Sequence, residues 1–263
     1  FIRNARSIEH KAKGPTEFRN NVAIGNGQDA MLYCAEIATS QVWSRDLVRE
    51  MDCTLSIKQQ LKLEAGTVLR LRDVSEVRVD GAGKLDAEGV VLTAANDAAG
   101  PGYWGSVIFA RGNTGGGSLR HSLVLNSGKN SGGAVSVQSD GAVDVLYNMF
   151  LRTANAGVEV GASRNDKVMV AGNLFNEIAG SSSTSVVRLA SQARPSILNN
   201  RMVGAAVGIS SRDDAQPKIE GNSFGQIASF GVENSDNDTC VEVMRQWWGD
   251  PSGPKGELVE FDV

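Results

Sequence analysis

Between Arg194 and Gln226 the chain reads RPSILNNRMVGAAVGISSRDDAQPKIEGNSFGQ, and it says nearly the same thing twice. Pro195 returns as Pro217, Ile197 as Ile219, Asn200 as Asn222 and Met202 as Phe224, each after 22 residues. The echo extends upstream through VMVAGNLF (168–175), VDVLYNMF (143–150) and LVLNSG (123–128). Asn126, Asn148, Asn173, Asn200 and Asn222 therefore follow one another at intervals of 22, 25, 27 and 22. Self-similarity at such a period marks a stack of repeats, each of which buries its apolar face only against its neighbours.

A second apolar run lies between successive asparagines: AVSVQ (134–138), GVEV (157–160), SVVRL (185–189), AVGIS (206–210) and GVEN (231–234). Each period thus holds two or three short Val/Ile-rich strands separated by Gly, Ser, Asn and Asp. A four-stranded propeller blade needs about 40 residues and does not fit. A leucine-rich repeat has the right period but wants Leu at most inward positions, whereas Val (28) outnumbers Leu (18) here and Pro195 and Pro217 stand where that repeat needs Leu. One coil of a parallel β-solenoid fits, with strands of successive coils hydrogen-bonded at about 4.8 Å. Asparagine suits a tight bend in such a coil because it tolerates left-handed backbone angles, and stacked asparagines bond to one another along the column. The expected fold is all-β: a right-handed, single-stranded parallel β-helix of roughly 8–10 coils, with Phe150, Phe175, Met202 and Phe224 stacked in its core.

Composition narrows the partners. Lys+Arg 26 against Asp+Glu 30 gives a net charge of −4 with no basic stripe, so nucleic acid is not an expected partner. No apolar run approaches the ~20 residues of a membrane-spanning helix. Cys34, Cys53 and Cys240 show no metal spacing. Cys34 and Cys53 lie 19 residues apart and admit a bridge, but buried free thiols are the reading favoured from the residues alone.

The flanks have their own order. TLSIKQQLKLEAGTVLRLRD (54–73) reads as a strand, a turn at Gln59–Gln60 and a second strand broken at Gly66; GYWGSVIF (102–109) then opens the solenoid proper with Tyr103–Trp104, and MRQWWGDPSGPKG (244–256) closes the repeats. This ordered set resembles the right-handed parallel β-helix repeat proteins of bacterial surfaces and envelopes, a pectate-lyase-like solenoid class, over roughly residues 37–256. In that class a Gly-Thr-hydrophobic step, a Trp-Gly coil and Ile-x-x-Asn-x-Phe coils precede a Trp-Trp-Gly-Asp-Pro-Ser-Gly-Pro closure. Glu64-Ala65 stands where many relatives have Pro. The resemblance implies a β-helix domain over 37–256, with residues 1–36 a cap or a partial coil of a longer solenoid and 257–263 a tail. It also implies a secreted, cell-surface or periplasmic location. A chain opening at Phe1 fits both a processed secreted protein and a piece of a larger polypeptide.

Relatives of known activity in this fold act on acidic polysaccharides, as pectate lyases, polygalacturonases, and chondroitin and alginate lyases. That implication rests on fold alone. The Gly-His-Gly of polygalacturonases is absent, since His10 and His121 are the two histidines and neither is flanked by Gly. One constellation stands out: the turns SDGA (139–142), GASRNDK (161–167), SQAR (191–194), SSRDDAQ (210–216) and NSDNDT (234–239). Stacked in a solenoid, they put Asp140, Asp166, Asp213, Asp214, Asp236 and Asp238 in one column, with Arg164, Arg194 and Arg212 among them. Stacked carboxylates repel unless a cation or an arginine sits between them. Asp166, Asp213, Asp214, Asp236 and Asp238 are thus the candidate ligands of a calcium ion. Arg164, Arg212, Asp213 and Asp214 are the candidate catalytic groups of a lyase. A solvated, self-neutralising set of turns is the plainer account.

Four aromatic residues complete the candidates. Tyr103, Trp104, Trp247 and Trp248 offer ring faces to a sugar, or close the ends of an apolar core while keeping a polar N–H wet; capping is favoured because the pairs flank the repeats. The chain therefore reads as a non-catalytic extracellular or surface module for glycan binding, adhesion or architecture, with no cofactor expected and calcium the one the turns admit. A polysaccharide lyase or glycoside hydrolase on an acidic polysaccharide is the alternative.

Overall fold

Three short strands recur in each coil, and each pairs in parallel with its equivalents in the coils on either side. The computed structural model describes residues 8–10, 31–34, 36–73, 75–129, 132–161, 164–181, 184–236, 239–249 and 253. Among them there is no helix, and the strands stack as a parallel β-solenoid of about eight turns. The first face is a sheet of nine strands, from Gln41–Trp43 through Val143–Leu146 to Val243–Met244. The second face carries the strands that follow the corner residues, such as Leu123–Leu125 after Ser122, Met149–Ala154 after Asn148 and Leu174–Ala179 after Asn173; the third carries Val107–Phe109, Val135–Val137 and Val158–Val160. In the last coils Arg201–Ser211 and Ser223–Asn234 run across both of these faces without a break. The segments Ile8–His10 and Met31–Tyr33 pair with each other, and the latter pairs with Arg49–Met51, so the second face continues toward the start of the chain. The expected tail 257–263 and most of 1–36 lie outside the described residues.

The repeated asparagine makes the corner between the first and second faces. Asn148, Asn173, Asn200 and Asn222 are buried in one column. The Oδ1 atoms of Asn173, Asn200 and Asn222 each accept the backbone N–H and the Nδ2–H of the asparagine one coil earlier, at 2.9–3.1 Å. Each Nδ2 also donates to a first-face carbonyl: Leu119, Val145, Val170 and Ile197 in turn. The column thus satisfies buried amides that the turn takes out of the ladders. Asn126 is not its next rung. Ser122 pairs with Asn148 instead, because a longer connection in that coil shifts the register by four residues. Gln246 is the rung after Asn222, so QWW (246–248) is one more copy of the Asn-x-Phe pattern with larger residues.

The residue two places after each rung points inward, since alternate side chains of a strand face opposite ways. Phe150, Phe175, Met202 and Phe224 are in register. The rings of Phe150 and Phe175 stack at 4.8 Å, and Trp248 stacks on Phe224 at 5.1 Å. Glycines opposite them make the room: a Cβ on Gly157 would come within 2.5 Å of the Phe175 ring, and one on Gly231 within 2.6 Å of the Trp248 ring. The Gly-Val-Glu motif of the third face is therefore a packing motif.

Two expectations change. Tyr103–Trp104 does not open the solenoid, because coils from Glu36 onward precede it; Trp104 is fully buried within the stack and donates its Nε1–H to the Leu125 carbonyl at 2.7 Å. Cys34 and Cys53 are not free thiols but a disulfide, with their Cα atoms 5.7 Å apart. Ile37 and Ile57 lie in register just beyond these two cysteines, which brings the sulfurs to adjacent rungs.

Candidate functional site

The turns that lead from the third face back to the first do stack. The amide of Asp140 donates to the Asn113 carbonyl, that of Arg164 to Gln192, that of Gln192 to Asp213 and that of Gln216 to Ala193. Ser191, Gln192, Asp213 and Asp214 all hold left-handed backbone angles (φ 58, 61, 55 and 61°), so consecutive N–H groups turn toward the next coil. The Asp236 carboxylate caps that pair, accepting from the amides of Asp213 at 3.0 Å and Asp214 at 2.8 Å. Arg164 donates its Nε–H to the Gln192 Oε1, Arg212 lies 3.7 Å from Asp213, and Thr239 donates to Asp214. Asp140, Asp166 and Arg194 are exposed in the same stack, and Asp238 lies outside the described residues. Among the described residues the one trio of ligand atoms within 4.8 Å is Cys34, Asp52 and Cys53, whose two sulfurs form the disulfide.

Inside the same corner runs a polar column that the repeat pattern did not reveal. Asn113 donates to the carbonyls of Gly81 and Gly83, Ser139 donates to Asn113, and Asn165 donates to the carbonyls of Ser139 and Gly141. Ala193 and Ala215 continue it in the next coils, fully buried. Their spacing of 26, 26, 28 and 22 is that of the coils, but the change of residue type along the column, from Asn to Ser to Asn to Ala, hid it. The outward charges of the sheets pair between and along rungs, as Arg188 with Glu159 at 2.7 Å and Lys58 and Arg78 with Asp80. Burial alone would raise the Asp80 carboxyl; the Lys58 hydrogen bond and the positive charges of Arg78 and Lys58 outweigh it and hold the group below its ordinary value.

The residue between each rung and its inward neighbour faces solvent, and these residues form one outer column. It runs Val68, Val91, Leu123, Met149, Leu174, Arg201 and Ser223, and Trp247 bridges to Ser223 at its end. The pair Trp247–Trp248 is thereby split. Trp248 turns into the core against Phe224, whereas Trp247 keeps half its surface open, at 51%. Its backbone is fixed on both sides, donating to the Asn222 carbonyl and accepting from the Phe224 amide, both at 2.8 Å. With Arg201, Val203, Ser223, Gly225 and Gln226 it lines an open groove of about 480 Å³. Tyr103 is half-buried against the core and Trp104 is closed to solvent, so the four aromatic candidates do not form one surface.

No protein-family model, curated protein or solved structure matches this chain. Its chemistry has to be read from its own surface. That surface offers a second aromatic feature at the same corner, several coils earlier. His121 and Tyr147 directly precede the rungs Ser122 and Asn148, hold left-handed angles (φ 48 and 56°), and stack at 5.2 Å within 10° of parallel. Tyr147 is 60% exposed. The sequence signal was present: whatever precedes the rung must point outward from the turn.

Proposed function

We propose that this chain is a non-catalytic, extracytoplasmic β-solenoid module that binds an acidic glycan in the Trp247 groove. The observation that carries the reading is the exposed Trp247 ring beside Arg201, Ser223 and Gln226. An aromatic face supplies apolar contact to the C–H side of a pyranose, and a guanidinium matches a uronate carboxylate in a two-bond fork. Trp247 contributes nothing to the core that Trp248 does not already supply, so an exposed indole held by two backbone bonds is accounted for by a ligand. The Cys34–Cys53 disulfide supports an oxidising compartment, because such bonds persist outside the reducing cytosol.

The test is binding to polygalacturonate, alginate and chondroitin sulfate by calorimetry. The native chain is expected to bind at least one of them. Trp247→Ala should weaken that binding about tenfold or more, equivalent to about 1.4 kcal/mol, with an unchanged melting temperature. Arg201→Gln should weaken binding and flatten its salt dependence, since exposed charge pairing is screened. Equal binding by native and Trp247→Ala protein would reject the site. Growth of ultraviolet absorbance on any of these polymers, lost in Arg164→Ala or Arg212→Ala, would replace the binding module by a lyase.

A further inference from the structure

The corner between the second and third faces is built on the same plan as the asparagine corner. Where the asparagine corner has Tyr147, Asn148 and Met149, this one has Asn126, Ser127 and Gly128. At the asparagine corner the left-handed Tyr147 (φ 56°) donates its N–H to Ala171 of the next coil, and Met149 donates to Ser122 of the coil before. At the other, the left-handed Asn126 (φ 59°) donates to Leu151 of the next coil, and Gly128 donates to Gly105 of the coil before. The following coil repeats the step: Arg152 is left-handed at φ 51°, and the Ala154 N–H donates to the Ser127 carbonyl at 2.8 Å. Ser127 and Thr153 are therefore stacked inward rungs of this corner, as Asn148 and Asn173 are of the other. Both are fully buried.

The two corners differ in what meets the middle amide. The Asn148 N–H, turned out of the ladder, finds the Asn173 Oδ1 at 2.9 Å. Among the described residues no group accepts from the Ser127 N–H, and the side chain standing where Asn173 would be is Thr153. A threonine hydroxyl is one bond closer to its own backbone than a carboxamide oxygen, and adjacent rungs are about 4.8 Å apart, so the hydroxyl falls short. Ser127 Oγ and Thr153 Oγ1 are accordingly two of the three buried side-chain oxygens that have no hydrogen-bond partner among the described residues. The third, Asn126 Oδ1, belongs to the left-handed position, which carries exposed Arg152 and Glu177 in the next two coils, and so lies on the outer side of the turn. Buried donors and acceptors left unmet are costly, and native interiors meet nearly all of them. We propose that one internal water molecule is the missing rung of this corner, accepting from the Ser127 N–H and bonding to the Ser127 and Thr153 hydroxyls. Hydroxyls on rungs about 4.8 Å apart are too distant for a direct bond, yet one water that bonds each at about 2.8 Å spans them. Three partners is the usual complement of a buried water. A cation does not suit the site, because an N–H donor points into it and its oxygens are neutral.

Magnetic relaxation dispersion of the solvent nuclei counts the long-lived waters inside a protein, and with thermal melting of the whole chain it tests the proposal. Thr153→Val keeps the shape of the side chain and removes one partner of the water. This variant should hold one long-lived water fewer than the native chain and melt about 2–4 °C lower, because the Ser127 N–H and hydroxyl lose their bridge. Thr153→Ser keeps a hydroxyl at the rung and should keep the native count. In a dry corner the sign reverses: Thr153→Val then replaces an unpartnered buried hydroxyl by a methyl group, and the melting temperature rises. A melting temperature that stays level or rises in Thr153→Val, or a water count that does not change, overturns the proposal. Thr153→Asn gives an independent readout, since a carboxamide at this rung reaches the Ser127 N–H as that of Asn173 reaches Asn148. It should expel the water while the chain stays folded. A folded Thr153→Asn chain that still holds the water overturns the proposal as well.

Discussion

At the scale of single residues the corner asparagines are the most constrained positions in the chain. Asn200 illustrates why. Its Oδ1 accepts two N–H groups of Asn173, its Nδ2 donates to Val170 and to Asn222, and its own amide donates to Asn222. All of these atoms are shut away from water. Replacing it by leucine keeps the volume but strands donors and acceptors on three coils, and each orphan costs about 1–3 kcal/mol. Asn200→Leu should therefore lower the free energy of unfolding by about 3 kcal/mol or more in urea titration. A loss below about 0.5 kcal/mol, the range of ordinary surface changes, would mean that the column contributes little. Asn126 shows that the residue type alone does not mark a rung: it is buried at φ 59° outside the column, and its place is taken by a serine.

The element scale is set by stacking between coils. A solenoid strand has neighbours on both sides except at the ends, where the apolar column would meet water. Trp248 covers the last described position of that column, lying on Phe224 and in the space that Gly231 leaves open. Trp248→Ala should cost about 3 kcal/mol, the lower end for removing a large aromatic from a core, and should increase binding of a hydrophobic dye. Glycan binding should survive, because Trp247 is anchored by its backbone. If Trp248→Ala left the melting temperature unchanged, the aromatic would not be an end cap and the division of labour between the two tryptophans would fall. The motif was legible as a closure. Which ring closes and which is offered outward followed only from the rung that precedes them, since Gln246 fixes the alternation.

For the whole molecule, cooperativity along the stack depends on how well its first coils are tied down. The Cys34–Cys53 bond links neighbouring rungs near that end and closes a loop of 19 residues. By chain entropy such a loop is worth about 3 kcal/mol. Reduction, or Cys34→Ser with Cys53→Ser, should lower the melting temperature measurably. Native-state hydrogen exchange should rise first in Arg49–Met51 and Leu55–Ile57, next to the bond. Uniform exchange along the solenoid after reduction would show that the bond does not hold this end in particular.

The sequence determined the solenoid by itself, because a period of 22–27 residues with two or three short strands per period can bury its apolar face only against copies of itself. The Asn column of 148, 173, 200 and 222, the Ile197–Ile219 pair and the aromatic stack followed directly, being local patterns repeated at the coil length. The stacking of the acidic turns was legible for the same reason. Other features needed the tertiary structure. Register decided that Ser122 and not Asn126 is a rung, since connection lengths between coils vary. It also decided that Trp104 is core, that Cys34 meets Cys53, and that Asp236 turns its carboxylate to backbone amides. The outer column was hidden for a related reason: solvent-facing residues in a repeat carry no period of their own. Val68, Leu123, Met149 and Trp247 share no motif, and only the stacking of their coils places them in one line, where position along the axis and not residue type decides what each can meet.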